Sequence, residues 1–123
     1  MQRKFRLTRS EDFKRVRRDG KSYAHPLVVL IVQTHDKRSS PVGQPRVKVC
    51  VAAGRTVGTA VYRNRAKRLL REAMRSLIPN ITSGLDLILI ARPGLVSASL
   101  DETRQALLIL LQRAQILIPL NES

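Results

Sequence analysis

From Leu27 to Thr34 the chain reads LVVLIVQT, an apolar and β-branched run of strand length that predicts a buried strand. Residues 46–53 (RVKVCVAA) alternate instead, with Val47, Val49 and Val51 on one face and Lys48 and Cys50 on the other. A third apolar strand, LDLILIA, spans 85–91 and is closed by the turn residues of ARPG, while 21–23 make a shorter extended piece. Elsewhere the period lengthens to that of a helix. Thr8 and Glu11 have capping-box spacing and Gly20 acts as a stop, which predicts a first helix over 9–19. A second runs from Ala60 to about Leu77, ahead of Pro79, with Tyr62, Ala66, Leu69, Leu70, Ala73, Met74 and Leu77 on an inner arc of about 140°. Ser99 and Glu102 repeat the box spacing and open a Leu-rich helix that reaches about Leu117, near Pro119. Between the strands, residues 36–45 (DKRSSPVGQP) read as a polar loop.

The resulting order is α-β-β-β-α-β-α, with no internal repeat and no linker able to divide domains. It predicts an α+β fold, a two-layer α-β sandwich, in a single domain over 1–123 with a basic N-terminal tail over about 1–8. Only four aromatics occur, Phe5, Phe13, Tyr23 and Tyr62, so Val, Leu, Ile and Ala must build the core.

Charge changes this picture. The net charge is +14, and it is unevenly spread: the first 75 residues carry 20 Lys and Arg against 5 Asp and Glu, the remainder 3 against 4. Such a field attracts polyanions. No apolar run approaches the roughly 18 residues that span a bilayer, and the opening MQRKFRLTRS lacks a signal-peptide core. Cys50 is the only cysteine and has no partner for an internal disulfide, which suits a reducing, cytoplasmic setting. Nucleic acid is the partner class that fits, and no membrane is expected.

The second helix concentrates the charge. AVYRNRAKRLLREAMR, residues 60–75, holds six cations and one acid, Glu72. Arg63–Lys67, Lys67–Arg71 and Arg71–Arg75 are like-charged neighbours one turn apart, each costing about 0.2–0.5 kcal/mol. With the cations near the helix N-terminus the total is roughly 1–2 kcal/mol, against a typical stability of about 5–15 kcal/mol. The cost is bearable but serves no structural need. A face meant for phosphates explains it; a merely solvated face would mix its signs.

Chemistry by the protein itself is not indicated. His25 and His35 stand apart with no Cys at ligand spacing, the acids form no D-x-D or H-E-x-x-H cluster, and GRTVG lacks the length and Lys-Ser/Thr of a P-loop. Neither catalytic residues nor a metal site is therefore expected in this chain.

The segment RVKVCVAAGRTVGTAVYRNRAKRLLREAMR resembles the signature of the bacterial ribonuclease P protein subunit, with Arg63-Asn64-Arg65 and Lys67-Arg68 matching the family's RNR helix. RLTRSEDFKRVRRDG resembles the family's first helix, and DLILIARPG its last strand and exit turn. The resemblance implies a left-handed β-α-β crossover, of the kind found in a ribosomal small-subunit protein domain, whereas parallel crossovers in proteins at large are right-handed in about 98 % of cases. It implies ribonuclease P RNA and precursor tRNA as partners, one protein per RNA, and removal of the 5′ leader by RNA catalysis, with magnesium held mainly by the RNA. Arg55, Gly58, Arg63, Asn64, Arg65, Lys67, Arg68 and Arg71 are then expected to bind the catalytic RNA. A cleft formed by Phe13, Arg15, Arg17 and Lys48 is expected to take the leader, with Phe13 either stacking a base or anchoring helix to sheet. Cys50 stands where the family usually has Gly, Arg17 where some relatives have an aromatic, and Ile31 where some have Tyr. The cleft is correspondingly poorer in rings. A ribosomal or RNA-chaperone protein without an enzymatic role accounts equally well for size and charge, but not for the joint occurrence of these segments.

Overall fold

The apolar runs become the four strands of one mixed sheet: β1 (Lys21–Ala24), β2 (Val28–Thr34), β3 (Val47–Ala53) and β4 (Leu85–Ala91), in the spatial order β1-β2-β4-β3. The computed structural model describes residues 10–34, 47–82 and 84–118. Thr8 of the first capping box, the basic tail over 1–8 and the loop over 36–45 lie outside the described residues. β1 and β2 form an antiparallel hairpin, closed where the His25 and Val28 backbones exchange hydrogen bonds of 2.9 and 3.3 Å. β4 runs antiparallel to β2 and parallel to β3, so it is central and almost wholly buried, as its unbroken apolar sequence requires.

Strand alternation divides the core in two. Leu30, Val49, Leu87 and Leu89 face α2 (Ala60–Leu77) and α3 (Leu100–Arg113), where the main core lies. Ile31 and Ile88 point the other way and meet Val16 of α1 (Ser10–Asp19) in a smaller cluster. The expected α+β sandwich thus forms from the sheet with α2 and α3, while α1 partly covers the opposite face by resting on β2 and β4. Gly20 makes this docking possible: a Cβ there would sit 2.5 Å from the Val16 carbonyl oxygen and 2.9 Å from that of Val32.

Two expectations need correction. The inner arc of α2 is narrower than the sequence suggests, about 100° and made of Ala66, Leu70, Ala73, Met74 and Leu77. Tyr62 is 49 % exposed and Leu69 is only half-buried, because the sheet and α3 do not reach round to that flank. The last helix also ends at Arg113 rather than near Leu117. Gln115 adopts a left-handed conformation (φ 58°), and the Ile116 N–H returns to the Leu111 carbonyl at 3.2 Å. That turn sends Ile116 into the core, and Leu117 bridges to Ile81.

Candidate nucleic-acid interface

Outside the packed inner arc, α2 carries six cations, one acid and an apolar flank of Val61, Tyr62 and Leu69. Asn64, Arg65, Arg68 and Arg75 are exposed, whereas Arg63, Lys67 and Arg71 form a half-buried line at i, i+4 and i+8 beside the core stripe. Arg63 and Arg71 bury their Nε atoms without a hydrogen-bond partner, so their stems lie along the protein surface. The one acid of the helix, Glu72, comes no nearer to Arg75 than 3.9 Å, too far for a hydrogen bond. At the start of the helix Thr59 makes no side-chain cap and no acid lies in the first turn. The positive end of the helix dipole therefore adds to the field of Arg63 and Arg65. Gly58, just before it, has φ 134°, a conformation that L side chains rarely adopt, and a Cβ there would lie 3.0 Å from the Tyr62 ring. Its role is to shape the turn after the short 3-10 segment Arg55–Val57, in which Arg55 is exposed.

The second predicted surface lies on the opposite face of the sheet, beside α1. Phe13 packs with Val16, Ile31 and Ile88 and stays half-exposed, and Val29, Cys50 and Ile90 continue this floor. Pairing register places Gln33, Asp86 and Lys48 in one row across β2, β4 and β3. Arg15 reaches from α1 into that row and donates to both Gln33 and Asp86, and Asp86 is only 2 % exposed. Arg15 is thereby a fixed part of the cleft wall. Lys48 is half-buried in the same row, and Arg17 is exposed on the outer side of α1. Next to it Arg18 pairs with Asp19 at 3.0 Å, which lowers the Asp19 carboxyl below its ordinary range.

The two surfaces meet at β3. Burial pushes the Cys50 thiol up, while Arg71 and Lys67 pull it part of the way back. α2 packs against β3, the last strand of the sheet among the described residues, which brings these two cations near the strand that carries Cys50. The structure brings Arg63, Asn64, Arg65, Lys67, Arg68 and Arg71 onto one helix, and Phe13, Arg15 and Lys48 to one cleft. Sequence reasoning missed Gln33 and Asp86 as the partners of Arg15, although a single acid inside LDLILIA was a signal. It also missed the half-exposed apolar flank of Val61, Tyr62 and Leu69. Among the described residues no three of His, Cys, Asp and Glu come together, and no helix is long and apolar enough to cross a membrane.

Comparison with known proteins supplies an independent line. The family model described as Ribonuclease P matches residues 1–115. The ribonuclease P protein component of Herpetosiphon aurantiacus is 41 % identical over 116 residues, covering 94 % of this chain and 89 % of that protein. That of Brevibacillus brevis is 36 % identical over 117 residues, with 95 % and 88 % covered. Among solved structures, the RNase P protein from Thermotoga maritima superimposes with a TM-score of 0.72 at 28 % identity, over 88 % of this chain and 96 % of that one. The Staphylococcus aureus RNase P protein shares the fold, with a TM-score of 0.76 at 24 % identity and coverage of 92 % and 97 %.

Proposed function

Because this chain belongs to the ribonuclease P protein family, we propose that it acts in the cytoplasm as the protein partner of a catalytic RNA that removes the 5′ leader from precursor tRNA. The observation that carries this reading is the α2 surface, where six cations face a single loosely paired acid beside an uncapped helix N-terminus. Arg55, Arg63, Asn64, Arg65, Lys67, Arg68 and Arg71 bind the RNA partner, and Gly58 sets the angle at which the helix meets it. The cleft between α1 and the sheet takes the single-stranded leader, with Phe13 offering a ring edge and Lys48 a cation. Arg15, tied to Asp86, holds the wall of that cleft.

In this reading the phosphodiester is hydrolysed by the RNA, and the magnesium ions that support it belong to the RNA. Asp86, in the cleft wall, is engaged by Arg15, which leaves it ill-suited to hold a metal ion. One protein serves one RNA. Its contribution is to hold the leader and to screen phosphate repulsion, so its effect should be greatest when magnesium is scarce. The test is precursor-tRNA cleavage by a bacterial ribonuclease P RNA at low magnesium, with and without the protein. Strong stimulation by the wild type, none from protein alone, and a weakened Arg63→Ala/Arg65→Ala variant are expected. Absence of stimulation despite tight, salt-sensitive RNA binding would overturn the reading.

A further inference from the structure

α2 has a second flank, turned away from the cleft and toward the start of α3. Val61, Asn64, Arg65, Arg68, Leu69 and Glu72 line an open cavity there of about 600 Å³, with Leu100 at the start of α3 completing the lining. Its composition is unlike that of a plain phosphate-binding face. Val61 is 74 % exposed, the barest large hydrophobic side chain among the described residues, and Leu69 and Leu100 are only partly covered. The rim holds two arginines, an asparagine amide and the only acid of the helix.

A surface that served phosphates alone would have no use for an apolar floor or for a carboxylate. A nucleotide uses both. The flat faces of a base suit Val61, Leu69 and Leu100, its phosphates suit Arg65 and Arg68, and its edge can meet Asn64 and Glu72. An ionised carboxylate only accepts hydrogen bonds, so Glu72 favours a base that presents an exocyclic amino group. Uracil would turn edge oxygens toward it. The 3.9 Å separation from Arg75 leaves the Glu72 oxygens available for such a contact. We propose that this cavity holds one unpaired, amino-bearing nucleobase of the RNA partner, with Glu72 reading its edge. The inference rests on the proposed function, which supplies the RNA.

Glu72 offers a test in which charge and base reading predict opposite signs. If only electrostatics acts, Glu72→Met and Glu72→Lys, neither of which keeps a hydrogen-bond acceptor able to read an amino group, remove a repulsive charge and must tighten binding to ribonuclease P RNA. If Glu72 reads a base, both variants weaken binding by about tenfold. Both should also expose the same single unpaired base to a reagent that modifies Watson–Crick edges, a base the wild type protects. Met and Lys are good helix formers and the position is exposed, so the fold survives either change. Variants that bind as tightly as the wild type or tighter, with an unchanged footprint, would overturn the inference while leaving the proposed function intact. A wild type that neither binds nor stimulates the RNA would overturn both.

Discussion

Replacing Arg15 with Ala removes one ion-pair partner from a carboxylate that is almost fully buried. Asp86 sits in the middle strand with apolar neighbours on either side in sequence, and its charge is tolerable there because Arg15 and the polar row around it receive it. Loss of one partner of a fully buried pair costs about 3–5 kcal/mol; Arg15 is one-third exposed, so we expect about 2–3 kcal/mol. A urea titration of wild type against Arg15→Ala reads this directly, and an unchanged midpoint would show that the pair contributes nothing. The cleft beside α1 should also lose definition, since α1 is held to the sheet by this pair and by the small Val16–Ile31–Ile88 cluster. At this scale the sequence is half legible. Arg15 stood out as a cation on the first helix, but its partner lies 71 residues away in the chain, and no local pattern joins them.

Elements were easier to read where chemistry and period agree. The capping box at the start of α3 is present in full, with the Glu102 N–H donating to the Ser99 hydroxyl at 3.1 Å and the Ser99 N–H donating to the Glu102 carboxylate at 3.2 Å. Ser99→Ala should cost about 1 kcal/mol and lower the melting temperature by about 3–5 °C, measurable by thermal denaturation followed by circular dichroism. Strand faces were equally legible, because a period of two admits only two answers and Val47, Val49 and Val51 share the side that meets α2 and α3. Helix ends and arc widths were not. The run Ile116-Leu117-Ile118 is as apolar as the helix before it, and hydrophobicity alone could not show that Gln115 reverses the chain and sends Ile116 inward. In the same way Tyr62 and Leu69 lie within the geometric arc of α2 but beyond the reach of the elements that cover it. What left them bare is tertiary, and it creates the cavity beside α3.

For the whole molecule the uneven charge decides behaviour. If six cations of α2 displace counterions from RNA, affinity should fall by about 300–2000-fold between 50 and 200 mM salt. Filter binding across that range checks it, and a shallow slope would mean that most of these cations stay in solvent. The sign and location of this field were plain from the sequence, but its division between two flanks of one helix needed the fold. The place of β4 has a further consequence, in time rather than in space. It pairs with β2 on one side and β3 on the other, so residues 28–34 and 47–53 have no common sheet until residues 85–91 have been synthesised. The basic first 75 residues are thus synthesised before the strand that joins them exists. Folding must wait for that strand, with long-range pairing that is intrinsically slow, and during that interval the nascent chain is a polycation without a core. An RNA that meets it early would act on an unfolded segment, and the order of assembly, RNA first or sheet first, becomes a kinetic choice written into the strand order.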